Sequence, residues 1–229
     1  MKKGFTLVEI AVVLAIIALL VGGMLIPISA QIEEQKIMDT QDSIDLVKEA
    51  LIGYAVVNKH LPCPDKTVPT GAGTANDGLE DAAASGSCVS QEGNIPWVTL
   101  GVSGLDAWGN RIHYSVTPAF SNSLAKFTLH STGTLRICQT STCANVVANE
   151  IPAVVLSYGK NGFGAINSAG HANVLPTSAD ELANTDGNLD FVSRTGTPSA
   201  AASGQFDDIV DWVSPYVLFD RMVSAGVLP

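Results

Sequence analysis

The chain opens with a long apolar run that contains one acidic side chain. Residues 5–26 carry a single ionisable group, Glu9, and Pro27 follows them. A helix of that length rises about 33 Å, close to the ~30 Å hydrocarbon core of a bilayer. Lys2 and Lys3 precede the run, which predicts an N-terminus on the cytoplasmic side and the rest of the chain outside. The run therefore predicts a membrane-spanning helix.

Three other interpretations of this run remain open. A cleaved secretory signal with its cut after Ala30 would release a soluble protein that begins at Gln31, although such signals have apolar stretches of only about 7–15 residues. An uncleaved signal anchor explains the length but not Glu9, and it would tether a periplasmic binding module or enzyme. A buried core helix explains neither the two lysines nor the lack of polar residues.

Glu9 needs a counter-charge if it lies in lipid. An acidic side chain in a membrane helix costs a few kcal/mol, so it is usually paired and functional. A cut between Gly4 and Phe5 would create an α-amino group one helical turn away from Glu9. The ammonium and the carboxylate could then neutralise each other, within one chain or between neighbouring chains.

The residues Lys3-Gly4-Phe5-Thr6-Leu7-Val8-Glu9-Ile10 resemble the processing site of type IV prepilins and type II secretion pseudopilins. The resemblance covers residues 1–60. It implies that a prepilin peptidase cuts after Gly4 and methylates Phe5, and that Glu9 is the assembly residue. It also implies other pilin or pseudopilin subunits and an inner-membrane assembly platform as partners. The resulting divisions are a leader at 1–4, an assembly helix at 5–27, an amphipathic helix at 28–60 and a globular domain at 61–229.

Beyond Pro27 the pattern becomes amphipathic, which predicts one continuous helix from about Phe5 to about Asn58. Its apolar stripe comprises Ile37, Ile44, Val47, Leu51, Tyr54 and Ala55. Residues 65–94 are predicted to form a loop. Strands are predicted at 95–102, 110–117, 126–130, 134–138 and 151–158, and a last helix is predicted to begin at Pro215. One helix before several short strands predicts an α+β, pilin-like fold whose antiparallel sheet covers the apolar stripe of the helix.

Four cysteines permit two disulfides in three connectivities. We favour Cys63–Cys88, which closes the loop onto the helix end, and Cys138–Cys143, which spans a tight turn. A zinc site is the alternative, but the sequence has no Cys-x-x-Cys spacing and its histidines are scattered.

An acidic cluster near the C-terminus has the oxygen ligands that Ca²⁺ prefers. Its members are Asp186, Asn188, Asp190, Asp207 and Asp208. The alternative is an Asx-type turn in which these side chains bond their own backbone. Resemblance to major pseudopilins, which bind calcium in C-terminal loops, supports a structural calcium ion, and both interpretations stay open. No cofactor is expected to be required.

Net charge and missing motifs restrict the function. The formal charge is −10, from 12 basic and 22 acidic side chains, so nucleic acid is not expected as the primary ligand. No nucleophile–base pair can be proposed, and therefore no enzymatic activity is expected. The expected function is that of a structural subunit of a filament, either a type IV pilus or a type II secretion pseudopilus.

Overall fold

A computed structural model describes residue 4 and residues 6–228, except for the side chains of residues 21–28. Helix α1 runs over Leu7–Asn58, which confirms the predicted helix almost to its ends. Residues 1–38 and 39–229 form two separate compact units. Within the described part of the chain, no helix is both long and apolar enough to cross a membrane. Phe5 and the side chains of residues 21–26 of the predicted span lie outside that part.

The remaining elements all belong to the second unit. The helices are α2 (Trp97–Leu100), α3 (Pro118–Ser121), α4 (Ala179–Ala183) and α5 (Pro215–Ser224). The strands are β1 (Glu92–Asn94), β2 (His113–Val116), β3 (Leu135–Cys138), β4 (Val146–Ile151), β5 (Ala153–Ser157), β6 (Asp190–Val192) and β7 (Ile209–Val213).

A four-stranded antiparallel sheet of order β1-β2-β5-β7 covers the C-terminal part of α1. Ile44, Val47 and Leu51 of the helix are almost fully buried and share one core with Tyr114 and Val155 of the sheet. These helical positions recur every three or four residues, so they share one face. The predicted packing of the sheet on the apolar stripe is therefore confirmed.

A second, three-stranded sheet has the order β4-β3-β6, and its pairing differs from the prediction. Strand β3 pairs with β4 in the antiparallel sense but with β6 in the parallel sense, because Arg136 lies opposite Asp190 and Cys138 opposite Val192. The expected purely antiparallel arrangement thus holds for the first sheet alone.

Two predicted strands are wrong. Residues 95–102 form a single helical turn, α2, because Pro96 occupies the N-cap position and Gly101, at φ 70°, ends the turn in a left-handed conformation. Residues 126–130 form turns and unpaired backbone, and Ser131 Oγ accepts a bond from the amide of Thr128. Local polar bonds of this kind compete with strand pairing.

Helix α5 begins at Pro215, as the sequence predicts. Its Leu218 and Met222 are fully buried and complete the core that the sheet shares with α1, whereas Tyr216 is 83% exposed. One side of α5 therefore faces the core, and the opposite side is exposed.

Candidate functional site

Thr6 and Glu9 hydrogen-bond each other in both directions at the start of α1. Glu9 Oε2 accepts bonds from Thr6 N and Thr6 Oγ1, both at 2.8 Å, and Thr6 Oγ1 accepts a bond from Glu9 N at 3.2 Å. This is a capping box, in which two side chains satisfy amides that lack a partner inside the helix. The spacing Thr6-x-x-Glu9 is the sequence signal of this motif. Gly4 is exposed, and Phe5 lies outside the described residues.

The first turns of α1 expose an apolar surface on all sides. Every residue from 7 to 20 is exposed, and Leu7 and Leu19 keep 86% and 78% of their surface accessible. Exposed apolar surface of this extent marks contact with lipid or with another protein. Glu9 is the ionisable residue within this stretch.

Both favoured disulfides are present. Cys63 and Cys88 lie with their Cα atoms 5.1 Å apart, and the corresponding distance for Cys138 and Cys143 is 5.0 Å. All four cysteines are consumed in these bonds, so they offer no thiolate to zinc.

The predicted calcium ligands separate into two groups, and the first group forms turns. Asn188 donates from its amide to Asp186 Oδ1 at 3.1 Å and from Nδ2 to Asp186 Oδ2 at 2.7 Å, while Asn188 Oδ1 accepts from Asp190 N at 2.6 Å. Asp190 also binds Arg136 through two hydrogen bonds of 2.6 Å. The oxygens of Asp186, Asn188 and Asp190 therefore serve the turn and an ion pair.

Asp207 and Asp208 instead lie beside Glu181. One carboxylate oxygen from each of the three residues lies within 4.8 Å of the other two. Glu181 and Asp208 are buried, and Asp208 Oδ1 has no hydrogen-bond partner. Hard oxygen ligands this close together match the donor set of Ca²⁺.

Neutral donors position this carboxylate triad, Glu181, Asp207 and Asp208. Asn184 Nδ2 donates to Asp208 Oδ2 at 2.7 Å, and Asn161 Nδ2 donates to Glu181 Oε1 at 2.9 Å. Burial, followed by the neighbouring carboxylates, raises the pKa of Asp208 well above its usual value, and burial likewise raises the pKa of Glu181. A cation between these carboxylates would offset both effects.

The comparison with known proteins bears on the other end of the chain. Residues 1–25 carry the prokaryotic N-terminal methylation motif. This motif is the signature of type IV pilin and pseudopilin precursors, so it supports a pilin-like precursor and confirms the resemblance read from residues 3–10. No curated protein and no solved structure matches the chain.

The methylation motif also bears on activity and on partners. It indicates a structural protein that is processed by a prepilin peptidase and assembles with other pilin subunits. It suggests a membrane anchor as well. The motif covers about one ninth of the chain and carries no information about the globular unit.

Sequence reasoning missed two functional candidates. Glu181 belongs to the carboxylate triad, but it lies 26 residues before Asp207 in a short helix, and no local spacing links the two. Arg136 neutralises Asp190 from a strand 54 residues away, which only the parallel pairing of β3 with β6 reveals.

Proposed function

We propose that this protein is a structural subunit of a type IV pilus or a type II secretion pseudopilus. A prepilin peptidase cuts after Gly4 and methylates the new N-terminus, Phe5. The subunit waits in the inner membrane with its globular unit in the periplasm, and an assembly platform adds it to the filament. The exposed apolar surface over residues 7–20, interrupted by one carboxylate, is the observation that supports this proposal.

Assembly then depends on the carboxylate of Glu9 changing partners. In the single chain Glu9 Oε2 accepts two bonds from Thr6, so its charge is already partly compensated. A neighbour's methylated amine would add a full positive charge, and in a low-dielectric environment that ion pair is much stronger than bonds to neutral donors. The pair would therefore fix the position of each new subunit along the filament.

The test substitutes Glu9→Ala in the full chain and uses Glu34→Ala, on the exposed part of the same helix, as the matched control. We expect E9A to be processed and to accumulate in the membrane but to be missing from sheared filaments, whereas E34A is incorporated normally. Normal incorporation of E9A would refute the role of this carboxylate.

The alternative function is that of an anchored periplasmic module that never polymerises. Mass spectrometry of the N-terminal peptide separates the two proposals. A methylated Phe5 at the start supports the filament subunit, and an intact Met1 supports the anchored module.

We also propose a structural divalent cation, calcium, at the carboxylate triad. Glu181, Asp207 and Asp208 would hold the ion, which would neutralise buried negative charge and join α4 to the segment that leads into β7. The buried Oδ1 of Asp208, which has no hydrogen-bond partner, supports this assignment.

A further inference from the structure

A polar cavity of about 290 Å³ lies on the face of the four-stranded sheet that points away from α1. Ile112 and Tyr114 of the β2 region belong to the core shared with α1, so the alternating side chains of Arg111 and His113 point to the opposite face. There they line the cavity together with Glu92 of the adjacent strand. Its volume is near the lower limit of ligand pockets, which is about 300 Å³.

The cavity wall contains a guanidinium group, that of Arg111, which is fixed against an aromatic ring. The guanidinium carbon of Arg111 lies 3.8 Å from the ring centre of Trp97, and Nη2 donates a long bond of 3.5 Å to Ser168 O. Its Nε is buried and has no acceptor. Among the described residues no carboxylate forms a salt bridge with Arg111. Burial lowers the pKa of this group, and the charge of Asp65, which is not in salt-bridge contact, opposes that effect. The stacked side chain thus offers donors to an anionic group.

An acidic side chain, Glu92, lines the same cavity. Within the described part of the chain, Glu92 makes no salt bridge. Its carboxylate lies against the turn at Gly187, where an added Cβ would come within 2.8 Å of Glu92 Oε1. Burial, and then the charge of Asp186, raises the pKa of Glu92. A positively charged group in the cavity would relieve this cost.

Further polar groups line the same cavity, among them Lys66, whose Nζ donates to the backbone carbonyls of residues 70–73. His113 Nε2 is buried without a hydrogen-bond partner, and Asn94, directly opposite His113 in the strand register, lines the same cavity. Ser90 and Thr185 add hydroxyl groups to the wall. Buried polar atoms without partners are rare in folded proteins, and two of them, on Arg111 and His113, belong to side chains of this wall.

We propose that this cavity binds a small zwitterion, a molecule with both a primary ammonium and a carboxylate. The carboxylate would pair with Arg111 and the ammonium with Glu92, so that one molecule would form a direct ion pair with each of these two side chains. A neutral sugar would compensate neither charge, and a simple anion or amine would compensate only one. A free α-amino acid carries both groups, and a very short peptide carries one at each end. Molecules of both kinds are small enough for the cavity.

The test is calorimetric titration of the full chain in detergent with glycine, L-serine and glycylglycine. We expect saturable binding of at least one of these probes at one site per chain. Acetate and ethylamine, which carry one charge each, should bind at least about tenfold more weakly. Preference for glycylglycine over the two amino acids would identify a peptide as the natural source, and the reverse order a free amino acid.

Substitutions assign the binding to the cavity. Glu92→Gln and Arg111→Gln should each weaken binding about tenfold or more, because each removes one charge-assisted contact. Glu150→Gln and Arg221→Gln are exposed control variants and should leave binding unchanged. Equal affinity in all four variants would place the binding elsewhere and overturn the proposal.

A measurement on the unmodified chain keeps the proposal falsifiable if the variants fail to fold. The ring resonances of His113 should shift on addition of the zwitterion, whereas those of His171, which is exposed, should not. The absence of saturable binding of any zwitterion at millimolar concentration would overturn the proposal, as would saturable binding of glucose with no response to zwitterions.

Discussion

The phenol of Tyr54 donates a 2.6 Å hydrogen bond to Glu80 Oε1. The other oxygen of the same carboxylate accepts a bond of 3.1 Å from the amide of Cys63. Glu80 therefore joins helix α1 to the segment that follows it, next to the Cys63–Cys88 disulfide. Burial, and then the charge of Glu80, raises the pKa of Tyr54, so the phenol remains a donor throughout the physiological range.

Replacing Tyr54 by Phe should destabilise the globular unit. The variant keeps the ring but leaves one oxygen of a half-buried carboxylate without its donor, which we expect to cost about 1–2 kcal/mol. Tyr216→Phe is the control, because Tyr216 is 83% exposed. Denaturant unfolding of the full chain in detergent measures both variants, and equal stabilities for the two would show that the Tyr54–Glu80 bond is energetically neutral.

The two disulfides should contribute unequally to stability. Cys63–Cys88 spans 25 residues and Cys138–Cys143 spans 5, so the loop-entropy relation gives about 3.5 and about 2 kcal/mol respectively. Replacing each pair by serine in separate variants and comparing their free energies of unfolding tests this order. A larger loss from the Cys138–Cys143 pair would contradict the entropic explanation.

Asp65 predicts a pH dependence with a defined sign. Its side chain is fully buried, and burial raises its pKa to about 6. The unfolded value is near 3.9, so between these values the folded chain binds more protons than the unfolded chain. The contribution of Asp65 to the free energy of unfolding therefore falls as the pH rises from 4 to 6, by on the order of 2 kcal/mol.

Asp65→Asn should remove this contribution, whereas Asp42→Asn, at an exposed position, should preserve it. Unfolding curves at pH 4, 5, 6 and 7, with each variant compared to the original chain, isolate the effect of Asp65 from that of other groups. Identical pH profiles for D65N and the original chain would contradict the prediction.

Features encoded by local spacing could be predicted from the sequence. The extent of α1 follows from the uninterrupted pattern of residues 5–58, and the disulfides follow from cysteines close together along the chain. The N-terminal motif is equally local. In each case the residues that decide the outcome are near neighbours in sequence, so propensity and periodicity suffice.

Features that depend on distant pairing could not be predicted in this way. Asp186, Asn188 and Asp190 have the alternation of a calcium loop, but Arg136 reaches Asp190 only because β3 and β6 are parallel. Glu181 approaches Asp207 only after the chain has folded. The strand-like composition of residues 95–102 was overridden by Pro96 and Gly101, whose backbone preferences set a helical turn.

The response to calcium distinguishes a site at the carboxylate triad from a site at the loop of Asp186, Asn188 and Asp190. Calcium bound at Glu181, Asp207 and Asp208 stabilises the folded chain by an amount that grows with the logarithm of the ion's excess over its dissociation constant, about 2.7 kcal/mol at a hundredfold excess. The melting temperature of the full chain in detergent should therefore rise with added Ca²⁺ and fall with a chelator.

Asp208→Asn has opposite effects in the two conditions. Without calcium it removes a buried charge beside two other carboxylates, so the melting temperature should rise. With calcium it removes a ligand, so most of the increase caused by the ion should be lost. Asp186→Asn is the matched control, because the oxygens of Asp186 serve the turn at Asn188, and its calcium response should equal that of the original chain. If D186N abolishes the calcium response and D208N retains it, the calcium site lies in the loop around Asp186. If calcium raises the melting temperature of none of these chains, the proposed calcium site is refuted.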